Sequence, residues 1–217
     1  SMRYSSARLF ANAVFVFSLT LLVAVGAWYL AADSKQSAQE SVHLTQADWQ
    51  VTDTPDLNAP PATFDSKTLP GSWHQITLPL SLPLAKKPDD QLVDAKASIS
   101  TTWIRLPTDG LPLSSESLTL YGVRIKTEGS VALYANGRLV YRAQQQGPLW
   151  NSLFTPLWVT LDKSNLDAPL HEILVRIEHP SNTRVGMSSL WLGTAESLKA
   201  RYYARQWLQR ELPATLS

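Results

Sequence analysis

The hydrophobic pattern of the chain divides into one long apolar run and a later series of short alternating segments. Residues 9–32 form the long run and contain no charged side chain. A helix of this length extends about 36 Å at a rise of about 1.5 Å per residue, which is enough to cross the hydrocarbon core of a bilayer with some tilt. The pattern therefore predicts a transmembrane helix over residues 9–32.

Charges on either side of this run predict its orientation. Arg3 and Arg8 precede it and Asp33 follows it. Because basic residues favour the cytoplasmic side of a span, we expect residues 1–8 in the cytoplasm and the rest of the chain exported. A cleaved signal peptide is the alternative, since Val25-Gly26-Ala27 offers small residues to a signal peptidase. The apolar run is longer than the core of most signal peptides, which favours an uncleaved anchor.

Alternating apolar and polar positions predict a β-rich domain over residues 69–193. The clearest alternation puts one set of side chains on a single strand face: His171, Ile173, Val175, Ile177 and His179. Further strands are predicted at residues 100–106, 117–125, 131–142, 157–161 and 189–192. Short alternating strands with turns between them predict a mainly β fold, an antiparallel jelly roll or β-sandwich.

An Asn136-Gly137 pair between two apolar runs predicts a β-hairpin. Both residues accept the positive φ angles that a two-residue type I′ turn requires. In such a hairpin Val131 and Leu133 lie on one face and Tyr134 lies on the other.

The segments that flank the predicted strands are polar. Residues 33–68 contain several prolines, and we interpret them as a periplasmic linker leading into the domain, with one short strand near residues 49–51. Residues 86–98 are charged and are predicted to form an exposed loop.

The pattern changes after the last predicted strand. Thr194 can cap a helix over residues 195–212 that Pro213 would stop, so residues 194–213 are interpreted as a juxtamembrane connecting helix. Its apolar stripe contains Leu198, Tyr202, Leu208 and Leu212, with Arg201 and Arg205 inside it. Two interpretations stay open: the helix packs on its own domain, or it leads towards a second membrane span and pairs loosely in a homodimer.

Composition narrows the function classes. The formal net charge of +1 argues against a nucleic-acid surface. The chain has no cysteine, which excludes disulfides and thiolate metal sites. None of the motifs that mark hydrolases, metalloproteases or phosphate-binding loops occurs, and His171 and His179 stand too far apart on one strand to share a metal. We therefore predict no catalytic residue, no metal and no cofactor.

Aromatic rings and planar guanidinium groups favour a binding function. They suit sugars and small organic acids, by stacking and by forked hydrogen bonding. The candidate ligand-binding residues are Trp150, Asn151, Arg105, Arg124, Arg142 and Arg184. Trp150 lies in a loop over residues 144–153 that we expect to bring it near a strand arginine, whereas Trp103 is predicted to be a core residue.

The order of several short motifs resembles a known module. The pieces are Leu69-Pro70-Gly71-Ser72-Trp73, Thr102-Trp103-Ile104-Arg105, Tyr121-Gly122-Val123, the hairpin, Pro156 before residues 157–161, Ile173-Leu174-Val175-Arg176-Ile177, and Leu192-Gly193. Together they resemble the galactose-binding-like, sugar-binding jelly roll of glycoside hydrolase family 2. They are most similar to its relatives in bacterial membrane-bound histidine kinases and diguanylate cyclases, where the jelly roll is a periplasmic sensory module.

This resemblance implies a ligand-sensing domain in the periplasm, anchored in the inner membrane, whose kinase or cyclase output lies beyond residue 217. The resemblance does not extend to a hydrolase barrel, so glycosidase activity is not implied. Two other hypotheses stay open. One is a bitopic accessory subunit whose sandwich binds another exported protein, and the other is a carbohydrate-active enzyme.

Overall fold

The computed structural model describes residues 3–39, 41–54, 56–82, 99–113, 117–144, 150–151, 156–162 and 166–204. The chain forms two compact units, Ser1–Gln39 and Glu40–Ser217. The first unit is a single helix, α1, which covers Arg3–Gln39. The second is built from antiparallel strands and ends, in its described part, with a helix α2 over residues 195–204. The predicted mainly β fold class is therefore confirmed.

Helix α1 contains the predicted apolar run. Within it, Asn12–Ala31 is long and apolar enough to cross a membrane, and all of its side chains are exposed. In the described part of the chain no other helix meets this criterion. The predicted helix over residues 9–32 is confirmed, and the structure extends it at both ends.

In the described part of the chain, fourteen strands follow α1. They are β1 Ser41–Leu44, β2 Gln46–Thr54, β3 His74–Thr77, β4 Leu80–Leu82, β5 Ile99–Pro107, β6 Leu118–Gly122, β7 Ile125–Thr127, β8 Ser130–Ala135, β9 Arg138–Gln144, β10 Trp150–Asn151, β11 Leu157–Leu161, β12 Glu172–Pro180, β13 Val185–Met187 and β14 Leu190–Gly193. Sheet I has the order β3-β2-β5-β12-β8-β9, sheet II β1-β14-β6-β11, and sheet III β10-β7-β13-β4.

One apolar core joins all three sheets. On β12 the side chains of Ile173, Val175 and Ile177 are almost fully buried, as the alternation predicted. They face Leu120 of sheet II and Ile125 of sheet III within the same cluster. Sheet I therefore forms one layer of a sandwich, and sheets II and III form the other.

The outer face of sheet I carries a second, smaller core. Its buried members are Trp103, Ala132, Tyr134 and Leu174. A segment that we name the strap, residues 56–73, lies over them and contributes Phe64, Leu69 and Trp73. Both faces of sheet I are therefore covered by protein, at least over its centre.

The predicted hairpin is confirmed. Asn136 has φ 50° and Gly137 has φ 80°, as a type I′ turn requires, and Ala135 pairs with Arg138 across it. The Asn136 side chain also has a tertiary role, because its Oδ1 accepts hydrogen bonds from the backbone N–H of His171 and of Glu172.

The sandwich begins earlier than the sequence indicated. Residues 41–54 were interpreted as part of a linker with one short strand, but they form β1 and β2, and β2 lies between β3 and β5 in sheet I. The hydrophobic pattern of β2 does not identify it as a strand, because its polar side chains have partners that are distant in the sequence. Asp48 pairs with Arg105, and Thr52 accepts a hydrogen bond from Trp103 Nε1 at 2.9 Å.

Two further predicted segments differ from the structure. The strand predicted over residues 117–125 is divided after Gly122, where the chain passes from sheet II into sheet III. A Cβ at Gly122 would lie 2.6 Å from Leu190 Cδ2, so a larger residue at this position would displace the Leu190 side chain. The loop predicted over residues 86–98 falls outside the described residues.

Helix α2 begins as predicted. Thr194 Oγ1 accepts a hydrogen bond from the backbone N–H of Ser197 at 3.2 Å, which is the geometry of an N-cap. Leu198 is fully buried, so the first turns of α2 pack on the helix's own domain. The remainder of the predicted helix, residues 205–213, lies outside the described part of the chain.

Candidate functional site

The strap is held on sheet I by backbone pairing at the hairpin. Phe64 N–H donates to the Gly137 carbonyl at 2.8 Å, and Leu139 N–H donates to the Ala62 carbonyl at 2.9 Å. The Phe64 ring stacks on Trp103 with 4.4 Å between ring centroids. These contacts place Phe64 at the centre of the outer face of sheet I, with a cleft on either side.

A buried ion pair anchors the beginning of the strap. Arg176 Nη2 lies 3.0 Å from Glu178 Oε2, and their side chains are only 7% and 2% exposed. The strap supplies two further partners, because Asn58 N–H donates to Glu178 and the Asn58 carbonyl accepts from Arg176. Ser130 Oγ donates to the other Glu178 oxygen. The buried carboxylate is thus fully hydrogen-bonded, which such a charge requires.

The cleft beside the hairpin turn, the Arg105 cleft, has a volume of about 460 Å³. One wall is the strap at Phe64–Lys67, the floor is β5 at Arg105 and Pro107, and the opposite wall includes His171 and Glu172. This volume lies within the range of small-molecule sites, roughly 300–1,000 Å³.

Arg105 is held in one orientation within this cleft. Its Nη2 donates to Asp48 Oδ2 at 2.9 Å, and its guanidinium lies 4.3 Å from the centre of the Trp73 ring. The side chain is 27% exposed and lines the cleft, and a guanidinium carries five N–H donors in total. An ion pair combined with ring stacking pre-organises the guanidinium fork for a ligand.

The other polar groups of the cleft are partly fixed by each other. Ser66 Oγ donates to Glu172 Oε2 at 3.0 Å, and Asp65 Oδ1 accepts from the Lys67 backbone N–H at 3.0 Å. The amide of Asn136 donates to the Pro169 carbonyl at 3.0 Å and so attaches the turn to the opposite wall. The cleft is therefore shaped by hydrogen bonds among its own walls.

The charge of the cleft selects among ligands. Its charged lining comprises four carboxylates, Asp48, Asp65, Asp109 and Glu172, against two cations, Lys67 and Arg105. An acidic excess disfavours an anionic ligand, because like charges in a partly desolvated site repel. Closely spaced donors and acceptors suit instead a neutral, hydroxylated molecule. The charge of the lining is therefore more compatible with a neutral ligand than with an organic acid.

A second cleft lies on the other side of the strap, and we name it the Arg142 cleft. It has a volume of about 500 Å³ and lies between residues 57–60 of the strap and the neighbourhood of β8 and β9. Arg142 and Glu128 are exposed at its edges, and the buried Glu178 forms part of its floor. Both carboxylate oxygens of Glu178 already accept hydrogen bonds, from Asn58, Arg176 and Ser130. The Arg142 cleft therefore offers fewer free polar groups to a ligand than the Arg105 cleft.

The predicted site residues lie in different parts of the sandwich. Arg105 and Arg142 both lie on the outer face of sheet I, but in different clefts. Arg124 lies between β6 and β7, and Arg184 precedes β13; both are exposed. Since β7 and β13 are antiparallel partners, the two arginines stand at opposite ends of that strand pair. The six candidates therefore do not form one site.

Trp150 and Asn151 form β10 at the edge of sheet III, opposite Thr127 and Lys126. Their side chains lie outside the described residues, as does most of the loop over residues 144–153. A role for Trp150 in binding stays a prediction. Trp103, which was expected to be a core residue, is 5% exposed and belongs to the second core.

Sequence reasoning missed most of the Arg105 cleft. Glu172, on the face of β12 opposite to Ile173, was not among the candidates, and His171 was considered only as a metal ligand. Asp48 lies in the segment interpreted as a linker. The contact between Arg105 and Trp73 is the one feature that could have signalled the site. The two residues are 32 positions apart in the sequence, so the contact could not be recognised from it.

The histidines do not gather at a metal site. Among the residues that the structure describes, no group of three or more His, Asp or Glu side chains is placed to hold a metal ion. His179 is buried, and its Nε2 lies 2.9 Å from Thr102 Oγ1. Burial lowers the pKa of His179, although its bond to the Pro180 carbonyl acts in the opposite direction. It is a hydrogen-bonded core histidine.

Comparisons with other proteins give structural likenesses only. No protein-family model matches the sequence, and no curated protein matches it either. Among solved structures, a β-glucosidase from Kluyveromyces marxianus in complex with glucose aligns over 73% of this chain and 17% of its own, with 12% identity and a TM-score of 0.37.

Two other solved structures are similar at a comparable level. The PA14 sugar-binding domain from an RTX adhesin has 14% identity and a TM-score of 0.26, over 50% of this chain and 49% of its own. A cyclase from Fischerella has 15% identity and a TM-score of 0.32, over 69% of this chain and 76% of its own. This chain thus spans about half of the PA14 protein and less than a fifth of the β-glucosidase. Likenesses this weak do not assign the chain to a family.

Proposed function

We propose that this chain is the ligand-binding part of a membrane-anchored signalling protein and that the Arg105 cleft binds a neutral, sugar-like ligand. The pre-organised guanidinium of Arg105, held by Asp48 and Trp73 in a cleft of about 460 Å³, is the observation that carries the proposal. The acidic excess of the lining directs the choice towards uncharged hydroxylated molecules.

Membrane anchoring is supported by α1. Its apolar stretch Asn12–Ala31 has the length of a span, and Arg3 and Arg8 precede it. The proposed topology puts the N-terminus in the cytoplasm and the sandwich in the periplasm of a bacterial inner membrane. A reporter fused after Ser217 is expected to be active only when it functions in the periplasm, and activity of a cytoplasmic reporter there would contradict both the topology and the sensing role.

The path of the chain through the sandwich supports a route for signal output. Strand β1 follows α1 after one residue, and it pairs with β14, the strand that leads into α2. Ser41 lies opposite Gly193, so the chain begins and ends its course through the strands at adjacent positions. A change in the sandwich that moved β14 would therefore act directly on α2.

Aromatic contacts couple α2 to sheet II. His43, Trp191, Tyr121 and Trp158 form one row across its four strands. The Arg201 guanidinium lies 3.6 Å from the centre of the Trp191 ring, and His43 stacks on Trp191 at 4.0 Å. Tyr202 makes edge contacts with the other two rings of the row. This docking gives α2 a fixed orientation on the domain, which an output helix requires.

Calorimetric titration of the full chain in lipid nanodiscs tests the ligand proposal. The probes are a panel of neutral monosaccharides and a panel of organic acids. We expect a monosaccharide to bind and Arg105→Gln to weaken it by about ten-fold or more, because a hydrogen bond to a charged group contributes about 1.5–3 kcal/mol.

Arg142→Gln is the matched control, since Arg142 lies in the other cleft on the same face of sheet I. It should leave the affinity unchanged. Loss of binding in Arg142→Gln, with normal binding in Arg105→Gln, would move the site to the Arg142 cleft. Binding by organic acids alone would contradict the proposed ligand class.

A further inference from the structure

A third cavity lies next to the Arg105 cleft and has the opposite character. We name it the Thr108 pocket. Its volume is about 260 Å³, and its walls are mainly leucine side chains, among them Leu118, Leu170 and Leu192. Leu118 and Leu192 belong to the main core, so the pocket opens between the two layers of the sandwich.

The pocket and the cleft border each other along two chain segments. Asp109 lines both cavities. On one segment Pro107 faces the cleft and Thr108 faces the pocket, and on the other His171 faces the cleft and Leu170 faces the pocket. The Thr108 N–H donates to the His171 carbonyl at 3.0 Å, so this one backbone hydrogen bond marks the boundary between the two cavities.

One polar group inside the pocket is unexplained by the fold. The Thr108 side chain is part of the pocket lining, and the residue is 4% exposed. Among the residues that the structure describes, its Oγ1 has no hydrogen-bond partner. Leaving a buried hydroxyl unsatisfied is unfavourable, and most buried polar groups in folded proteins have partners. A valine has the same shape without that penalty, so the hydroxyl has no evident structural reason to be present.

We infer that the ligand of the Arg105 cleft carries an apolar arm that occupies the Thr108 pocket, an inference that rests on the proposed sugar-binding function. The ligand class is a glycoside whose hydroxylated ring lies in the cleft and whose apolar substituent enters the pocket. The pocket holds the equivalent of about eight or nine waters at about 30 Å³ each, which is room for an aromatic ring. An oxygen atom near the glycosidic linkage would accept a hydrogen bond from Thr108.

Matched pairs of glycosides test the apolar substituent, the arm, separately from the sugar ring, the head group. The probes are methyl and phenyl β-D-glucoside and methyl and phenyl β-D-galactoside, titrated into the full chain in nanodiscs. For the head group that binds, the phenyl compound is expected to bind about ten-fold or more tightly than the methyl compound, because a buried ring removes apolar area from water.

Filling the pocket should abolish the difference in affinity between the phenyl and methyl glycosides. Leu170→Trp places a bulky ring in the pocket, and Leu166→Trp is the matched control, because Leu166 is also half-buried at the edge of the core but does not line the pocket. In Leu170→Trp the methyl and phenyl glycosides should bind equally, with the affinity of the methyl compound retained. In Leu166→Trp the preference for phenyl should persist.

Three outcomes separate the two proposals. Equal binding of methyl and phenyl compounds to the wild-type chain, or a phenyl preference that survives in Leu170→Trp, overturns the apolar arm and leaves the sugar site standing. Failure of all four glycosides and of the monosaccharide panel overturns both.

Thr108→Val gives a readout that needs no ligand. Since the hydroxyl has no partner in the described part of the chain, the variant should unfold at the same or a higher temperature than the wild-type chain. A marked decrease in the unfolding temperature would show that the hydroxyl supports the fold, and it would remove the basis for assigning it to a ligand.

Discussion

The two faces of sheet I are both buried, but by different chemistry. On β12, the inward residues Val175 and Ile177 belong to the main apolar core. The outward residues Leu174, Arg176 and Glu178 are equally inaccessible, but their neighbours are the strap, an ion pair and a set of hydrogen bonds. One strand therefore contributes to two interiors of different kinds.

The difference shows where specificity in this molecule comes from. Apolar side chains on the inner face accept any neighbour of suitable volume. On the outer face each polar group needs one particular partner, and those partners are distant in sequence, as Asn58 and Glu178 are at 120 positions apart. The outer face holds the strap at one position, and that position creates the Arg105 cleft.

The largest effect is expected from breaking the ion pair of the outer face. Arg176→Ala leaves the Glu178 carboxylate buried without its cation, and loss of one partner from such a pair costs about 3–5 kcal/mol. Urea unfolding of the full chain, followed by tryptophan fluorescence, measures the change. The double variant Arg176→Met, Glu178→Leu is the control and should recover most of the stability; equal destabilisation in both would mean that packing, not charge, dominates there.

A matched pair of cavities on β12 compares the two faces directly. Leu174 on the outer face and Ile177 on the inner face are both fully buried. Leu174→Ala and Ile177→Ala should each reduce the free energy of unfolding by about 2–5 kcal/mol. If Leu174→Ala costs much less than Ile177→Ala, the strap is a loose cover and not a second core.

The hairpin turn connects the strap to sheet I and should be sensitive to side-chain size. Gly137→Val is expected to destabilise the domain by about 1–3 kcal/mol, because a β-branched residue is strained at positive φ. A Cβ at this position would also approach the Phe64 carbonyl of the strap to 2.8 Å. Gly110→Val is a control, since Gly110 also has positive φ but nothing within 4 Å of a Cβ. Thermal unfolding measures the destabilisation in both variants. The amount by which Gly137→Val exceeds Gly110→Val is the contribution of the clash with the strap.

The smallest effect concerns an ionisable group on the inner face. Burial lowers the pKa of His179 in the folded chain below its ordinary value of 6.5, so the unfolded chain binds a proton first as pH falls. Stability should therefore decline as pH decreases below about 6.5. His179→Gln should flatten this decline. His43, whose pKa is lowered by partial burial and by Arg201, contributes in the same direction, so a profile unchanged in His179→Gln would assign the decline to His43.

The sequence was most informative where structure depends on neighbours along the chain. The alternation on β12, the Asn136-Gly137 turn and the Thr194 cap are local patterns with local causes, and all were predicted correctly. The apolar run of α1 was equally clear, because membrane-spanning length is read from consecutive residues.

The site was less predictable because its geometry depends on distant pairs. Asp48 and Arg105 are 57 positions apart, and the strap that forms one wall of the cleft was interpreted as part of a linker. Among the four candidates whose side chains the structure describes, only Arg105 lines the Arg105 cleft. The other charged members of that cleft were indistinguishable from a solvated surface until the strap was placed over sheet I.

The pairing of β1 with β14 also determines how the sandwich responds to mechanical load. Ser41 at the start of β1 lies opposite Gly193 at the end of β14, and the two strands are antiparallel. Tension applied between α1 and α2 would therefore pull on one end of this ladder and open its hydrogen bonds in succession, as in unzipping, instead of shearing them all together. Resistance to the first step would come from the few side chains that dock α2 on sheet II, chiefly Leu198 and Arg201. Such tension would thus detach α2 and β1, and with β1 the core residue Leu44, before it reached the strands of sheet I.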